Sequence, residues 1–380
     1  MSCYLDNAAT TALSPEMKQY LISMLDVFGN PSSAHSEGIK TKRLIEEVRK
    51  KIAKFIKADN YDNIYFTSSG SASNTLGIQG YALANKCNIF YSPTVHKSIL
   101  KTIDNLMKFY NVNTIELQVD QYGNIDIEYL YRVFKVVKGD TLVVVEYANS
   151  EIGTIQDIKT ISDIVHEYSG KLFVDCTGSI SSIPLDVVGL NIDIATFSAH
   201  KVGALKGVGV LYKKTDIVTS PLVFGSQENG LFAGTENVLG ILSLGKAIDI
   251  LNYNKTSYNR DFVWSEIKYI EGISLVGSPV DNSRLINNLY ICIKGVRGSD
   301  IAALMDDVYK IQISTGSACN NGSLAPSSTA LAIGLSEDDA NSCVRISFSG
   351  NETEDELKEF CKSFSTCIKM LRDLNDWKEN

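Results

Sequence analysis

The stretch DIATFSAHKVGALKGVGVLY, residues 193–212, sets two apolar, β-branched runs on either side of a polar, glycine-rich turn. DIATF and VGVLY lie too close together for a crossover helix, so the pattern predicts a hairpin of two buried strands. The turn between them carries Ser198, His200 and Lys201, followed by Gly203, Gly207 and Gly209. A lysine there is either a solvated charge or an amine placed for chemistry. The glycines allow something bulky to approach the backbone closely.

Working outward, KLFVD (171–175) and TLVVVEY (141–147) are further short apolar runs, separated by the helix-length segment QDIKTISDIVHEYSG (156–170). That alternation predicts an α/β fold with a mostly parallel central sheet. NIYFTSSGSASNTLGIQGYALAN (63–85) reads as strand, turn and helix. TKRLIEEVRKKIAKFI (41–56) places Leu44, Ile45, Val48, Ile52 and Phe55 at helical spacing, a helix that covers a core. Beyond about residue 250 the texture becomes helix, strand, the helix SDIAALMDD (299–307), a long polar loop and a last helix, which predicts a smaller α+β domain.

The chain has 380 residues, 44% hydrophobic and 21% charged, with a formal net charge of −8. Such a chain can bury a large core, and its acidity argues against direct nucleic-acid binding or an anionic membrane surface. The start, MSCYLDNAATT, has no basic region ahead of an apolar stretch, and no run reaches the length of a membrane span. The expected location is cytoplasmic. The eight cysteines show neither CxxC pairs nor zinc spacing, so a disulfide framework and a metal site are not expected.

Two further segments bear on Lys201. Asp175 ends the run KLFVD, and the carboxyl ends of parallel strands are where open α/β sheets bind ligands. A helix-cap or turn aspartate is the plain alternative. A buried carboxylate needs a cationic partner, and a protonated pyridine nitrogen is one, so Asp175 and Lys201 can grip opposite sides of a pyridoxal ring. In TSSGSASN (67–74), Gly70 and Ser71 sit at a strand-to-helix junction whose N–H groups suit a phosphate. His96 in SPTVHKSIL can stack on a ring or simply cap a helix.

Together, YLDNAATT, NPSSAHSEG, FTSSGSASN, VHK, NSEIGTIQ, VDCTGS, FSAHK, GVGVLY, AGTENV, STGSACNNGSLAPS and CVRISFSG resemble, in this order, the motifs of cysteine desulfurases of the NifS/IscS type. The resemblance spans almost the whole chain. It implies the fold type I architecture of the class V aminotransferases and a pyridoxal 5'-phosphate cofactor. It also implies a homodimer with active sites at the subunit interface. A large cofactor-binding domain would span 14–250, and a small domain would combine 1–13 with 251–380.

The resemblance implies roles residue by residue. Lys201 matches the lysine that carries the cofactor, Asp175 the partner of the pyridine nitrogen, and His96 the stacking histidine. Gly70, Ser71, Ser198 and His200 match cofactor and phosphate contacts. Thr235 matches a threonine that reaches the neighbouring subunit's phosphate. Asn7 and Arg345 match substrate contacts, with Arg345 suited to holding a carboxylate. Cys319, in the long polar loop, matches the cysteine that takes sulfur from L-cysteine as a persulfide, leaving alanine. An acceptor protein would then receive the sulfur, for iron–sulfur assembly, tRNA thiolation or another sulfuration.

Four positions depart from the family pattern: Ser150 stands for an asparagine, Gly178 for a glutamine, and Asn229 and Phe232 for arginines. Ser150 and Gly178 fall where the cofactor's phenolic oxygen is normally contacted. Three alternatives to desulfurase activity therefore stay open: selenocysteine lyase, aminotransferase, or a weakly active cofactor-binding scaffold.

Overall fold

The computed structural model describes residues 3–253, 258–315 and 325–379. Twelve strands run along these residues: β1 (Cys3–Tyr4), β2 (Ile64–Thr67), β3 (Asn88–Tyr91), β4 (Thr114–Glu116), β5 (Thr141–Glu146), β6 (Lys171–Asp175), β7 (Ile194–Ser198), β8 (Gly209–Lys213), β9 (Ile273–Leu275), β10 (Asn288–Ile293), β11 (Ile311–Gln312) and β12 (Cys343–Ser347).

Seven strands form one sheet in the order β2-β8-β7-β6-β5-β3-β4. Only β8 runs against the others, pairing antiparallel with β7 and β2. The hairpin expected from residues 193–212 is therefore present, inside a sheet that is otherwise parallel. Strands β5 to β7 are apolar on both faces because helices cover both, as parallel sheets require. One face packs Val143, Val145, Leu172, Val174 and Ala195; the other packs Leu142, Val144, Phe173 and Ile194 beneath the helix Gly70–Asn85.

The later part of the chain builds a three-stranded antiparallel sheet, β12-β10-β9, with helix Glu354–Glu379 against it. Cys3 and Leu5 pack in the same core as Val344, Ile346 and Phe360, and β1 pairs in parallel with β11. The chain thus begins beside its own C-terminal third, and residues 6–11 run from there toward the large sheet. No helix among the described residues is long and apolar enough to cross a membrane.

Candidate active site

Three strand ends form the floor of the site. Thr196, Asp175 and Glu146 are Cα partners across β7, β6 and β5. Each follows an apolar residue by two positions (Ile194, Phe173, Val144), so all three side chains share one face of the sheet. Asn74, on the helix above, ties two of them together: its Nδ2 donates to Asp175 Oδ2 at 2.8 Å, and its Oδ1 accepts from Thr196 Oγ1 at 2.5 Å. The backbone N–H of Thr177 donates to Asp175 Oδ1 at 2.8 Å. Both carboxylate oxygens are thereby oriented. Asn74 Nδ2 also reaches Ser98 Oγ at 3.2 Å, which lies 2.8 Å from His96 Nδ1. His96 caps the helix Lys97–Tyr110, as one of its two sequence readings expected, and is exposed at the floor's edge.

An anion cradle adjoins the floor. Ser69 Oγ accepts from Ala72 N–H, which caps a 16-residue helix whose first residue is Gly70. A Cβ at Gly70 would lie 3.1 Å from Ser198 Cβ and 3.6 Å from Thr177 Oγ1, so the helix N-terminus approaches both side chains closely. Thr177 Oγ1 is buried without a partner among the described residues. A buried hydroxyl is normally paired, and one aimed at a helix N-terminus fits an anion accepting from both.

His200, beside the cradle, lies 3.2 Å (Nδ1) from Thr10 Oγ1. Burial, then the charges of Lys201 and Lys206, lower its pKa from 6.5 to about 4. At neutral pH it is an uncharged hydrogen-bonding group. Its contribution to stability is complete above the unfolded value and is lost as pH falls from about 6.5 through about 4, because the unfolded chain takes up the proton first. We expect His200→Gln to flatten the thermal stability curve in that window; a curve parallel to the native one would assign the acid sensitivity to another group.

Lys201 lies on a single turn, Ala199–Val202, that directly follows β7. Its Nζ donates to the carbonyls of Ala8 and, at 3.0 Å, of Ala9. Thr11 is tied to the same turn through His200 O and Lys201 O. The N-terminal segment also reaches Arg345: Asp6 Oδ1 accepts from its Nη2 at 2.8 Å, and Ser150 O from its Nη1 at 3.4 Å. Arg345 Nε is buried and has no partner among the described residues. Asn7 uses its Nδ2 on Tyr4 O and Ser347 O, holding this segment against β12. Asn7 and Lys201 both line a cavity of about 540 Å³, with Ser182, Asn259 and Asn287.

The departures from the family pattern have local reasons. A Cβ at Gly178 would lie 2.4 Å from Ala148 O and 3.3 Å from Ser150 Cβ, so the two departures touch each other. The turn at 148–150 occupies the space a side chain at 178 would need. Gly178→Gln should therefore destabilise the protein, by about 1–3 kcal/mol as overpacking does, without improving cofactor affinity. Denaturant unfolding and cofactor titration test this together, and a gain in both would show that the turn yields. Asn229 has φ 54°, a left-handed conformation that asparagine tolerates better than arginine. Phe232 packs against the core on the side of the sheet covered by the helix Gly70–Asn85.

Among the residues expected from sequence, Ser71 is exposed at the cradle's helix, and Thr235 is exposed ahead of the helix Val238–Ile250. Cys319 lies outside the described residues. Sequence reasoning missed Asn74, Thr177, Glu146 and Asp6. The one available signal was the acidic end of the otherwise apolar run TLVVVE.

The profile of the family described as aminotransferase class-V matches residues 3–360. The cysteine desulfurase IscS of Dictyoglomus turgidum is 37% identical over 99% of this chain and 97% of its own length. The NifS-like protein from Rickettsia africae superposes with a TM-score of 0.88 at 30% identity, covering 97% of this chain and all of that one. SspA in complex with cysteine superposes with a TM-score of 0.79 at 28% identity, covering 93% of this chain and all of that one. With a mostly parallel sheet that carries a lysine, an aspartate and a helix N-terminus at its strand ends, and with these relatives along its whole length, the chain belongs to the aminotransferase class-V family, alongside the IscS cysteine desulfurases.

Proposed function

We propose that the chain is a pyridoxal-phosphate-dependent cysteine desulfurase, converting L-cysteine to L-alanine and passing the sulfur to Cys319 as a persulfide. The observation that carries this reading is Arg345. A buried guanidinium with an unpartnered Nε, joined by the N-terminal segment to the turn that bears Lys201, is suited to the carboxylate of an amino-acid substrate.

The residues present also fit the cofactor. The unpartnered Thr177 Oγ1, with the Gly70 helix N-terminus and Ser198, would hold the phosphate; Asp175 would hold the proton on the pyridine nitrogen; His96 would cover the ring. The cofactor, when bound, supplies an electron sink for the bonds at the substrate's Cα and Cβ. Arg345 orients the substrate, and the Lys201 amine moves a proton at Cα. The Cys319 thiolate attacks the substrate sulfur; the carbon–sulfur bond breaks, and protonation of the carbon completes alanine.

The same reading takes the chain as two domains, 14–250 and 1–13 with 251–380, acting in the cytoplasm as a homodimer that delivers sulfur to an acceptor protein. Ile22, Leu25, Phe28 and Phe224 are strongly exposed apolar side chains of the kind a partner subunit covers.

Incubation with L-cysteine and a thiol reductant tests the activity. Alanine and sulfide in equal amounts are expected. Amino-group transfer without sulfide would mean an aminotransferase, activity confined to selenocysteine a lyase, and binding without turnover a scaffold.

A further inference from the structure

Glu146 takes no part in the chemistry above, yet its Cα partner across the sheet is that of Asp175, on the same face. Its carboxyl is held by two donors. Asn149 Nδ2 lies 2.9 Å from Oε2, and the main-chain N–H of His96 donates to the same carboxyl. The Asn149 amide has no freedom to turn, because its Oδ1 accepts from the N–H groups of Glu151 and Ile152 at 2.8 and 2.9 Å. Its Nδ2 must therefore face Glu146 and Thr94 O. Glu146 thus anchors the residue whose ring edges the site, from below and through the backbone.

Two carboxylates side by side on adjacent strands repel, and the arrangement is stable when one of them keeps its proton. The charges facing Glu146 are Asp175 on β6 and Glu151 in the turn after β5, both of them acidic, with the His96 N–H and Asn149 amide as its dipolar partners. Burial first, and the Asp175 charge second, push Glu146 well above the usual carboxylate range, outweighing the His96 and Asn149 donors, which favour the charged form. Part of the residue remains accessible to solvent, but the carboxyl itself is enclosed by these groups.

We propose that Glu146 is a positioning residue of this site, a neutral carboxyl that anchors the main chain of His96 from beside Asp175. Its consequence for the cofactor rests on the function proposed above; its charge state does not.

The full-length chain without cofactor tests the charge state, and titration with pyridoxal phosphate tests the anchoring. In infrared difference spectra at neutral pH, the cofactor-free protein should show a protonated carboxyl band that Glu146→Gln removes. Glutamine copies a neutral carboxyl, so Glu146→Gln should bind pyridoxal phosphate within about twofold of the native protein. Glu146→Met, which leaves two buried donors without an acceptor, should bind about tenfold more weakly. Because the acid's proton is retained on folding, the contribution of Glu146 to stability should fall as pH rises above 4.5, and Glu146→Gln should gain on the native protein over that range.

No carboxyl band, or tenfold weaker binding in Glu146→Gln, would show an ionised Glu146 and overturn the proposal. Unchanged binding in Glu146→Met would overturn the anchoring. Should Glu146→Met not fold, the spectra and Glu146→Gln still decide. Should the native chain fail to bind pyridoxal phosphate while the band is present, the proposed function falls and the neutral acid stands.

Discussion

Lys201→Ala is expected to lower sulfide release by about a thousandfold or more, while pyridoxal phosphate still binds, without a covalent link. The position explains the size of the effect. Lys201 follows β7 at the same sheet edge as Asp175 and Ser198, and its amine is already steered by the Ala8 and Ala9 carbonyls of a segment that continues back to Asp6 and Arg345. One amine thus lies between the proposed cofactor site and the proposed substrate carboxylate. Removing it would take away both the proposed attachment point and the proposed proton carrier, and would leave the Thr177 and Gly70 side of the site untouched. Borohydride reduction of the loaded native protein followed by peptide mapping should place the adduct on Lys201. An adduct on any other lysine would refute the assignment.

Cys319→Ser is expected to leave cofactor binding unchanged and to abolish persulfide formation. Both flanks of the segment that carries Cys319 are tied to the site. Ser314 exchanges backbone hydrogen bonds with Arg345, and Ser327 Oγ donates to Glu151, next to Ser150. Among the described residues, all the competing thiols but one are poor nucleophiles. Burial pushes Cys3, Cys87 and Cys361 up to about 12 and Cys367 to about 11; burial and the Asp175 charge raise Cys176 as well. Cys343 is raised by its hydrogen bond with Cys292, and then by burial. Cys292 is lowered by that same bond, which makes it the one described thiol with a raised thiolate fraction. Cys292→Ser is therefore the control, and should keep full persulfide formation. Mass spectrometry after cysteine addition reads both variants, and a persulfide on Cys292 with none on Cys319 would reverse the assignment.

Much of this protein was legible in its sequence because the relevant signals are local. The runs KLFVD and DIATF became strand β6 and, one residue later, strand β7 through apolar, β-branched stretches of strand length, and the short spacing before VGVLY left only a hairpin. Gly70 and Ser71 announced a helix start, and the Ser69 cap found there needs only a side chain and an amide three residues on. Cys319 and Arg345 were singled out as candidates through motif order, which needs no fold at all.

What only the tertiary structure decided depends on which strands lie side by side and in what register. Glu146 and Asp175 are 29 positions apart in TLVVVE and KLFVD, and each alone reads as the polar end of a buried strand; parallel pairing makes them neighbours of like charge. Asn74 gained its role because the helix above sets its amide between Thr196 and Asp175, contacts that span 122 and 101 residues. Gly178 read as a missing donor, whereas its packing against Ala148 O leaves no room for a side chain. Propensity, capping and turn chemistry act over a few residues and can be read along the chain, but like-charge proximity, orphaned hydroxyls and forbidden volumes arise only when distant segments share the same space.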